Sequence, residues 1–126
     1  MGLLAAAFMI LPAAETYDPN TGNSRMAGCA ALERATTTGK FPTSPEAILQ
    51  MGICTGQLNS ALFYMHVIME DHVHDEPKFF LCIPSNVTIG QFAAVVNKFL
   101  REHPESRNED FNGIMTVAAA EAWPCL

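Results

Sequence analysis

Ser44–Met69 reads S-P-E-A-I-L-Q-M-G-I-C-T-G-Q-L-N-S-A-L-F-Y-M-H-V-I-M and is the stretch that decides the fold class. Ser44 is a good helix cap, Pro45 suits the first helical position, and Glu46 places an acid in the first turn. Residues suited to one buried stripe then recur at steps of three and four: Ile48, Met51, Thr55, Leu58, Leu62, Met65 and Met69. The pattern predicts the longest helix of the chain, ending near Val73.

Small residues recur every four positions on this predicted helix, at Gly52, Gly56 and Ser60. Each glycine in a helix interior costs about 1 kcal/mol relative to alanine. We therefore expect a neighbouring helix to approach closely at these positions.

Three further helices are predicted on either side of this stretch. A modest helix begins at Ser24 and runs to the T-T-T-G segment at Thr36–Gly39. Thr88 and Gln91 form a capping box for a helix that Pro104 ends. Ser106 or Asn108 is expected to cap a last helix that runs to Ala122. The sequence thus predicts a small, all-α, four-helix domain.

Four cysteines, Cys29, Cys54, Cys82 and Cys125, lack the close C-x-x-C spacing of a zinc ribbon or a thioredoxin-like site. Two disulfides are expected, with four buried free thiols as the alternative. In an antiparallel hairpin of the first two helices, Cys29 and Cys54 lie level, each about two turns from the connection. Cys82 comes just before the third helix and Cys125 just after the fourth, and these two helix ends meet if the helices are antiparallel. The favoured pairs are Cys29–Cys54 and Cys82–Cys125, worth about 3–4 kcal/mol each by loop entropy.

The start of the chain, Met1–Ala14, carries no charge, and polar residues begin abruptly at Glu15. This pattern is typical of the apolar region and small-residue cleavage site of a signal peptide, although no basic residue precedes it. The alternative is a short buried helix. We expect residues 1–14 to be a signal peptide, 15–23 a polar leader and 24–126 the helical domain. Disulfides and export together indicate the periplasm.

The length and charge of the chain exclude several classes of function. The chain has 126 residues, 49% of them apolar, with 7 basic and 13 acidic residues and a net charge of −6. One domain fits this length. The acidic balance argues against binding nucleic acid or an anionic membrane surface, and no stretch approaches the roughly 20 apolar residues of a membrane span.

The candidate catalytic and metal-binding groups of the chain each have a simpler role. His66, His72 and His74, with nearby acids, could hold zinc or copper, but no closed ligand set is present, so a solvated loop is favoured. No serine lies in a G-x-S-x-G elbow, and His103 before Pro104 is expected to cap or pack. The sequence predicts no enzyme activity and no cofactor.

The C-terminal half carries an ordered set of motifs. F-L-C-I-P-S-N-V-T-I-G-Q at Phe80–Gln91, V-V-N-K-F-L-R-E-H-P-E at Val95–Glu105 and A-A-A-E-A-W-P-C at Ala118–Cys125 follow an earlier Cys54-Thr55-Gly56. This pattern resembles the Rap/Tai family of type VI secretion immunity proteins. Gln57 and Ser60 stand where that family usually has an aromatic residue and a second glycine.

The resemblance implies a periplasmic, often dimeric, all-helical protein that binds and inhibits a peptidoglycan amidase toxin. We expect two exposed loops to contact this partner, with solubility alone as the alternative role. Their candidate contact residues are His72, His74, Asp75, Glu76 and Lys78 in the first loop and Glu102, Glu105, Arg107, Glu109 and Asp110 in the second. The competing hypothesis is a secreted helical envelope protein that binds another partner or acts as a stress holdase.

Overall fold

The computed structural model describes residues 18–72 and 81–125, with only the backbone of residues 68–72. These residues form four α-helices: α1 (Gly22–Thr38), α2 (Pro45–His72), α3 (Ile89–Glu102) and α4 (Phe111–Ala122). A 3-10 turn, Pro104–Ser106, lies between α3 and α4, and the described residues contain no β-strand. The predicted all-α, four-helix class is confirmed.

Helix starts follow the local cap chemistry where the cap lies directly before an apolar run. Ser44 Oγ accepts a hydrogen bond from the Ala47 backbone N–H at 3.2 Å, and Thr88 Oγ1 accepts one from Gln91 N–H at 3.1 Å. Thr21 caps α1, which therefore begins at Gly22 rather than at the predicted Ser24.

The predicted cap of the last helix is wrong. Asp110, and not Ser106 or Asn108, accepts the first backbone donors of α4. Pro104–Ser106 closes into its own 3-10 turn, so the chain after it continues for several more residues before the helix begins. A proline that ends one helix can begin a short turn of its own, because its fixed φ also suits a first helical position.

The core lies where the four helices meet. Its largest fully buried side chains include Phe92 of α3, Phe111 and Ile114 of α4, and Leu58 of α2. One polar side chain lies among them: Asn97 Nδ2 donates to the Cys29 carbonyl at 3.0 Å and to Glu33 Oε2 at 2.6 Å. Because a buried amide without a partner is costly, these two bonds tie α3 to α1 in one register.

Both disulfides have the predicted partners. Cys29 on α1 bonds Cys54 on α2 with a Cα–Cα distance of 5.3 Å, and Cys82 bonds Cys125 with a Cα–Cα distance of 5.0 Å. The second bond is reinforced by a backbone hydrogen bond, because Cys82 N–H donates to the Trp123 carbonyl at 2.8 Å. The segments before α3 and after α4 are thereby held together.

The predicted close approach at Gly52 and Gly56 is wrong. Among the described residues, no atom of another element lies within 4 Å of the position that a Cβ would take at either glycine, and both glycines and Ser60 are exposed. The helices approach instead at Gly28 of α1, where a Cβ would overlap the Gln50 carbonyl of α2. Gly28 lies next to Cys29, so this close backbone contact and the first disulfide are at the same level of the α1–α2 pair.

The predicted buried stripe of α2 is correct in its middle and wrong at its start. Cys54, Leu58, Leu62 and Met65 are buried, whereas Ile48 is 48% exposed. At 100° per residue, Ile48 lies well to one side of the stripe that these four define. Among the described residues, no helix combines the length and apolar character that crossing a membrane requires.

Candidate functional site

The second predicted contact loop, Glu102–Asp110, connects α3 to α4 at one end of the bundle. Glu102 is the last residue of α3, and Glu105 lies in the 3-10 turn. The side chains of Glu102, Glu105, Glu109 and Asp110 are exposed, whereas Arg107 is only partly so. The loop therefore presents more acidic than basic groups to solvent.

Arg107 is committed to the fold. Its Nε donates to the Leu100 carbonyl at 2.7 Å and its Nη2 donates to the Arg101 carbonyl at 3.4 Å, so the guanidinium satisfies carbonyls at the C-terminal end of α3. Its own carbonyl accepts a hydrogen bond from Asn23 N–H at 2.7 Å, at the start of α1. Arg107 thus joins two helix ends, and its guanidinium is held in place by the carbonyls of α3.

Asp110 also has a structural role. Oδ1 accepts hydrogen bonds from the backbone N–H groups of Asn112 at 2.9 Å and Gly113 at 3.4 Å, which caps α4. Oδ2 accepts from Asn20 Nδ2 at 2.9 Å, and Asn20 Oδ1 accepts from Gln57 Nε2 at 2.6 Å. This chain of hydrogen bonds connects the start of α4 to α2 through the segment that precedes α1.

His103 stacks on Phe99, with ring centroids 4.3 Å apart, in agreement with its predicted packing role. Its Nδ1 lies 3.1 Å from Glu105 Oε1, and its Nε2 lies 3.8 Å from Glu121 Oε2. The pKa of Glu105 is lowered from its ordinary value of 4.5, chiefly by a hydrogen bond from its own backbone N–H and next by the His103 imidazole. Glu105 therefore stays ionised at neutral and mildly acidic pH.

Four carboxylates on the α3–α4 loop or beside its residue His103 remain available to solvent. We call Glu102, Glu105, Glu109 and Glu121 the acidic surface; all four are exposed, and His103 brings Glu105 and Glu121 close together. The loop beneath is held by the bonds of Arg107 and Asp110, so these carboxylates are carried on a fixed backbone. Glu121 was missed in the sequence, because it lies on α4 and joins the loop only in the folded chain.

The first predicted contact loop lies almost entirely outside the described residues. His72 is the last residue of α2, with its side chain not described, and His74, Asp75, Glu76 and Lys78 fall in the segment 73–80. Within residues 18–72 and 81–125, no group of three or more His, Cys, Asp or Glu side chains is placed to hold a metal ion. The role of these residues as partner contacts stays a prediction.

The structure also shows a second surface that the sequence patterns did not suggest. We call Ile48, Leu49, Gly52, Gly56, Phe63, Tyr64 and Val67 the outer face of α2; all seven are exposed. A groove of about 490 Å³ lies beside this face, between α2 and α4, with Gly56 and Tyr64 among the α2 residues that line it and Thr116 among those of α4. The available signal was the absence of any Asp, Glu, Lys or Arg from Ala47 to Val67.

Comparison with known proteins identifies one family. The family model described as Rap1a immunity proteins matches residues 22–125, more than four-fifths of the chain. No curated protein and no solved structure matches the chain. The matched range begins at the first residue of α1 and ends at Cys125, so it includes all four helices and both disulfides.

Proposed function

Because the chain belongs to the family of Rap1a immunity proteins, we propose that it binds and inhibits a peptidoglycan amidase that a type VI secretion system delivers. Membership makes it a toxin-immunity protein and implies a toxin as its partner. The observation that carries the proposal is the match across the whole described helical domain. The choice of an amidase as the toxin rests on a more detailed resemblance, which is between the motifs around Cys82, His103 and Cys125 and those of the Rap/Tai immunity proteins.

The proposed site of action is the periplasm, where an amidase meets its peptidoglycan substrate. Two disulfides and no free cysteine among the described residues fit an oxidising compartment. The uncharged segment Met1–Ala14 is the candidate export signal. Under this proposal the chain acts after export and without catalysis of its own.

Inhibition would work by stoichiometric occlusion of the toxin's cleft. Binding orders side chains and loops at a free-energy cost, and a surface that is already rigid avoids much of that cost. Here the Arg107 and Asp110 hydrogen bonds fix the loop that carries three of the four members of the acidic surface. The acidic surface is therefore a preorganised element that can meet a basic rim on the toxin.

Electrostatics supports the same surface as a contact region. The chain carries a net charge of −6, and three of the four carboxylates of the acidic surface lie in the one loop that joins α3 to α4. Charges of one sign at the edge of an interface chiefly raise the association rate with a partner of opposite sign. We expect the association rate with the amidase to fall steeply as salt is added.

The direct test measures peptidoglycan hydrolysis by the amidase encoded beside this gene, with increasing amounts of the purified protein. We expect activity to fall linearly and to vanish near one equivalent. Undiminished hydrolysis with a large excess of folded, disulfide-bonded protein would exclude this amidase as the target. Viability of cells that export the amidase, with and without this chain, provides the matching test in the periplasm.

A pair of charge reversals tests the contact surface separately. Glu109→Lys changes an exposed carboxylate of the acidic surface, whereas Glu46→Lys makes the same change in the first turn of α2. We expect the first to slow association by about tenfold at low salt and the second to have little effect. Equal effects of the two variants would leave no special role for the acidic surface, while inhibition itself would still stand.

A further inference from the structure

The groove between α2 and α4 presents polar side chains, and none of the described residues that line it is charged. Its α2 wall includes Gln57, Ser60 and Tyr64, and its α4 wall includes Asn112 and Thr116. Amide and hydroxyl groups of this kind both donate and accept hydrogen bonds. The volume of about 490 Å³ lies within the roughly 300–1,000 Å³ of small-molecule sites in proteins, so the groove can accommodate a small ligand.

One acceptor in the α2 wall has no partner. Gln57 Oε1 is shielded from water and makes no hydrogen bond within the described part of the chain. Its orientation follows from two neighbouring hydrogen bonds. The Asp110 carboxylate only accepts, so Asn20 turns its Nδ2 toward it, and Asn20 Oδ1 then faces Gln57 Nε2. The cap of α4 therefore fixes which end of the Gln57 amide is left over.

The unpartnered oxygen of Gln57 indicates a ligand that donates a hydrogen bond. A polar atom that is removed from water and left unpaired costs free energy, and native structures rarely contain one without a partner. The last torsion of a glutamine side chain is soft, so a small rotation turns Oε1 to the groove surface. An N–H or O–H of a ligand there supplies the missing hydrogen bond.

The bottom of the groove is apolar. Met65 of α2 and Met115 of α4 both line it and are both buried, so they form its floor. Tyr64 adds an aromatic ring that is 65% exposed. Aromatic rings and methionine side chains pack well against methyl groups and C–H faces. The groove therefore combines an apolar floor with walls that form hydrogen bonds.

Two other classes of ligand fit this groove poorly. An anionic ligand would find no Lys or Arg among the described lining residues and would be repelled by the net charge of −6. An extended polypeptide binds largely through its main chain. Both walls are helices, whose backbone groups are bonded within α2 and α4 or to the Asp110 cap. The walls therefore favour a neutral ligand rich in hydroxyl and amide groups.

We propose that the groove between α2 and α4 binds a neutral, N-acetylated sugar. Such a sugar carries an amide N–H beside a methyl group, hydroxyls at the edge of its ring and C–H groups on its faces. The N–H donates to Gln57 Oε1, and the methyl group packs on the apolar floor. The hydroxyls meet Ser60 and Asn112, and a ring face packs on Tyr64. This activity is separate from toxin binding and does not depend on which toxin the protein inhibits.

Titration of the disulfide-bonded protein with triacetylchitotriose, followed in ¹H–¹⁵N NMR spectra, tests the sugar site. We expect the side-chain amide signals of Gln57 and Asn112 to shift, with a dissociation constant on the order of millimolar, since an open groove buries only part of the sugar. Maltotriose has similar rings without acetamido groups. It should bind about tenfold more weakly, because it leaves Gln57 Oε1 without the amide donor.

A matched pair of variants tests the location. Ser60→Leu fills the groove from its α2 wall, whereas Asn59→Leu changes the neighbouring exposed position, which is not part of the lining. We expect Ser60→Leu to weaken binding of triacetylchitotriose by at least about tenfold and Asn59→Leu to bind as the wild type does. Gln57→Met removes the acceptor and keeps a side chain of similar length. This variant should bind triacetylchitotriose and maltotriose equally.

Co-sedimentation with purified peptidoglycan sacculi distinguishes two sources of the sugar. Retention of the wild-type protein and of Asn59→Leu, but not of Ser60→Leu, would assign the glycan polymer. Binding of triacetylchitotriose without retention on sacculi would assign a free oligosaccharide. Either result supports the same sugar site.

Three outcomes would overturn the proposal. The NMR signals of the wild-type protein could stay unchanged up to about 10 mM triacetylchitotriose, the two sugars could bind the wild type equally, or Ser60→Leu could bind as tightly as Asn59→Leu. Unchanged signals together with loss of amidase inhibition in Ser60→Leu would instead assign the groove to a segment of the toxin. Failure of the wild-type protein to inhibit the amidase would refute the immunity target and leave the titration result unaffected.

Discussion

Replacing Gly28 with alanine adds one methyl group at a close backbone contact between α1 and α2. The new Cβ would overlap the Gln50 carbonyl, and the Met51 backbone nitrogen lies only 3.2 Å from the same point. These are backbone atoms, so no side-chain rotation can make room. The helices also cannot simply move apart, because the next residue, Cys29, is bonded to Cys54 with a Cα–Cα distance of 5.3 Å.

The magnitude follows from two opposing effects. Overpacking in a core costs up to about 3 kcal/mol, and the rigid disulfide places this site at the upper end. Alanine is better than glycine in a helix by about 1 kcal/mol, which offsets part of that cost. We expect Gly28→Ala to lower the free energy of unfolding by about 2 kcal/mol. Gly52→Ala, whose Cβ would meet no other element of the described chain within 4 Å, should raise it by about 1 kcal/mol.

Urea unfolding followed by circular dichroism at micromolar protein concentration, with the disulfides intact, measures both variants. With a slope of about 2 kcal/mol per molar urea, the predicted difference of about 3 kcal/mol separates the two midpoints by about 1.5 M. The sign is the decisive result. If Gly28→Ala is as stabilising as Gly52→Ala, the helices do not meet at Gly28 and the reasoning is refuted.

Three further predictions concern the disulfides and the α3–α4 loop. Reducing the disulfides should lower the free energy of unfolding by about 3.5 kcal/mol for the bond with a sequence separation of 25 and by about 4 kcal/mol for the bond with a separation of 43. We therefore expect a much lower melting temperature in dithiothreitol, and an unchanged melting temperature would contradict this. Asp110→Ala should lower the free energy of unfolding in urea by about 1–2 kcal/mol, and Asp110→Asn should lower it less, because asparagine also caps helices. Equal losses of stability in the two variants would argue against a capping role. The pKa of Glu105, followed by NMR, should lie below 4.5. His103→Ala should raise this pKa only partly, since the hydrogen bond from the backbone N–H is the larger cause of the lowering. A return of the pKa to 4.5 in that variant would show that His103 is the larger cause. A lowered pKa adds a little stability above the usual glutamate pKa, and this is lost as the pH falls through the lowered value.

Much of the fold could be predicted because its signals are local. The Ser44 and Thr88 caps, the proline that ends α3 and the apolar stripes all act within a few residues of where they appear. The disulfide partners followed from the same information, because helix lengths and antiparallel order place each cysteine at a definite level. Where two cap candidates competed, as before α4, the sequence pattern chose wrongly and Asp110 took the role.

The candidate site depended on contacts that local patterns do not contain. Arg107 looked like an exposed charge, yet it binds carbonyls of α3, and Glu121 joined the acidic surface only because α4 packs beside His103. The small residues of α2 were read as a helix contact inside the molecule, whereas the close contact is at Gly28. Glycines at helical spacing indicate either that another helix packs closely there or that the surface is open there, and only the fold shows which of the two applies.

By itself, then, the sequence determined the four helices, the Ser44 and Thr88 caps, the disulfide pairing and the resemblance to immunity proteins, since each of these depends on residue type at short spacing. Only the tertiary structure decided which side of α2 is buried, because α2 is apolar on more than one side and hydrophobic spacing alone cannot rank them. Packing against α1 at Gly28 and Cys29 made that choice, and it left Leu49, Gly56 and Phe63 facing solvent.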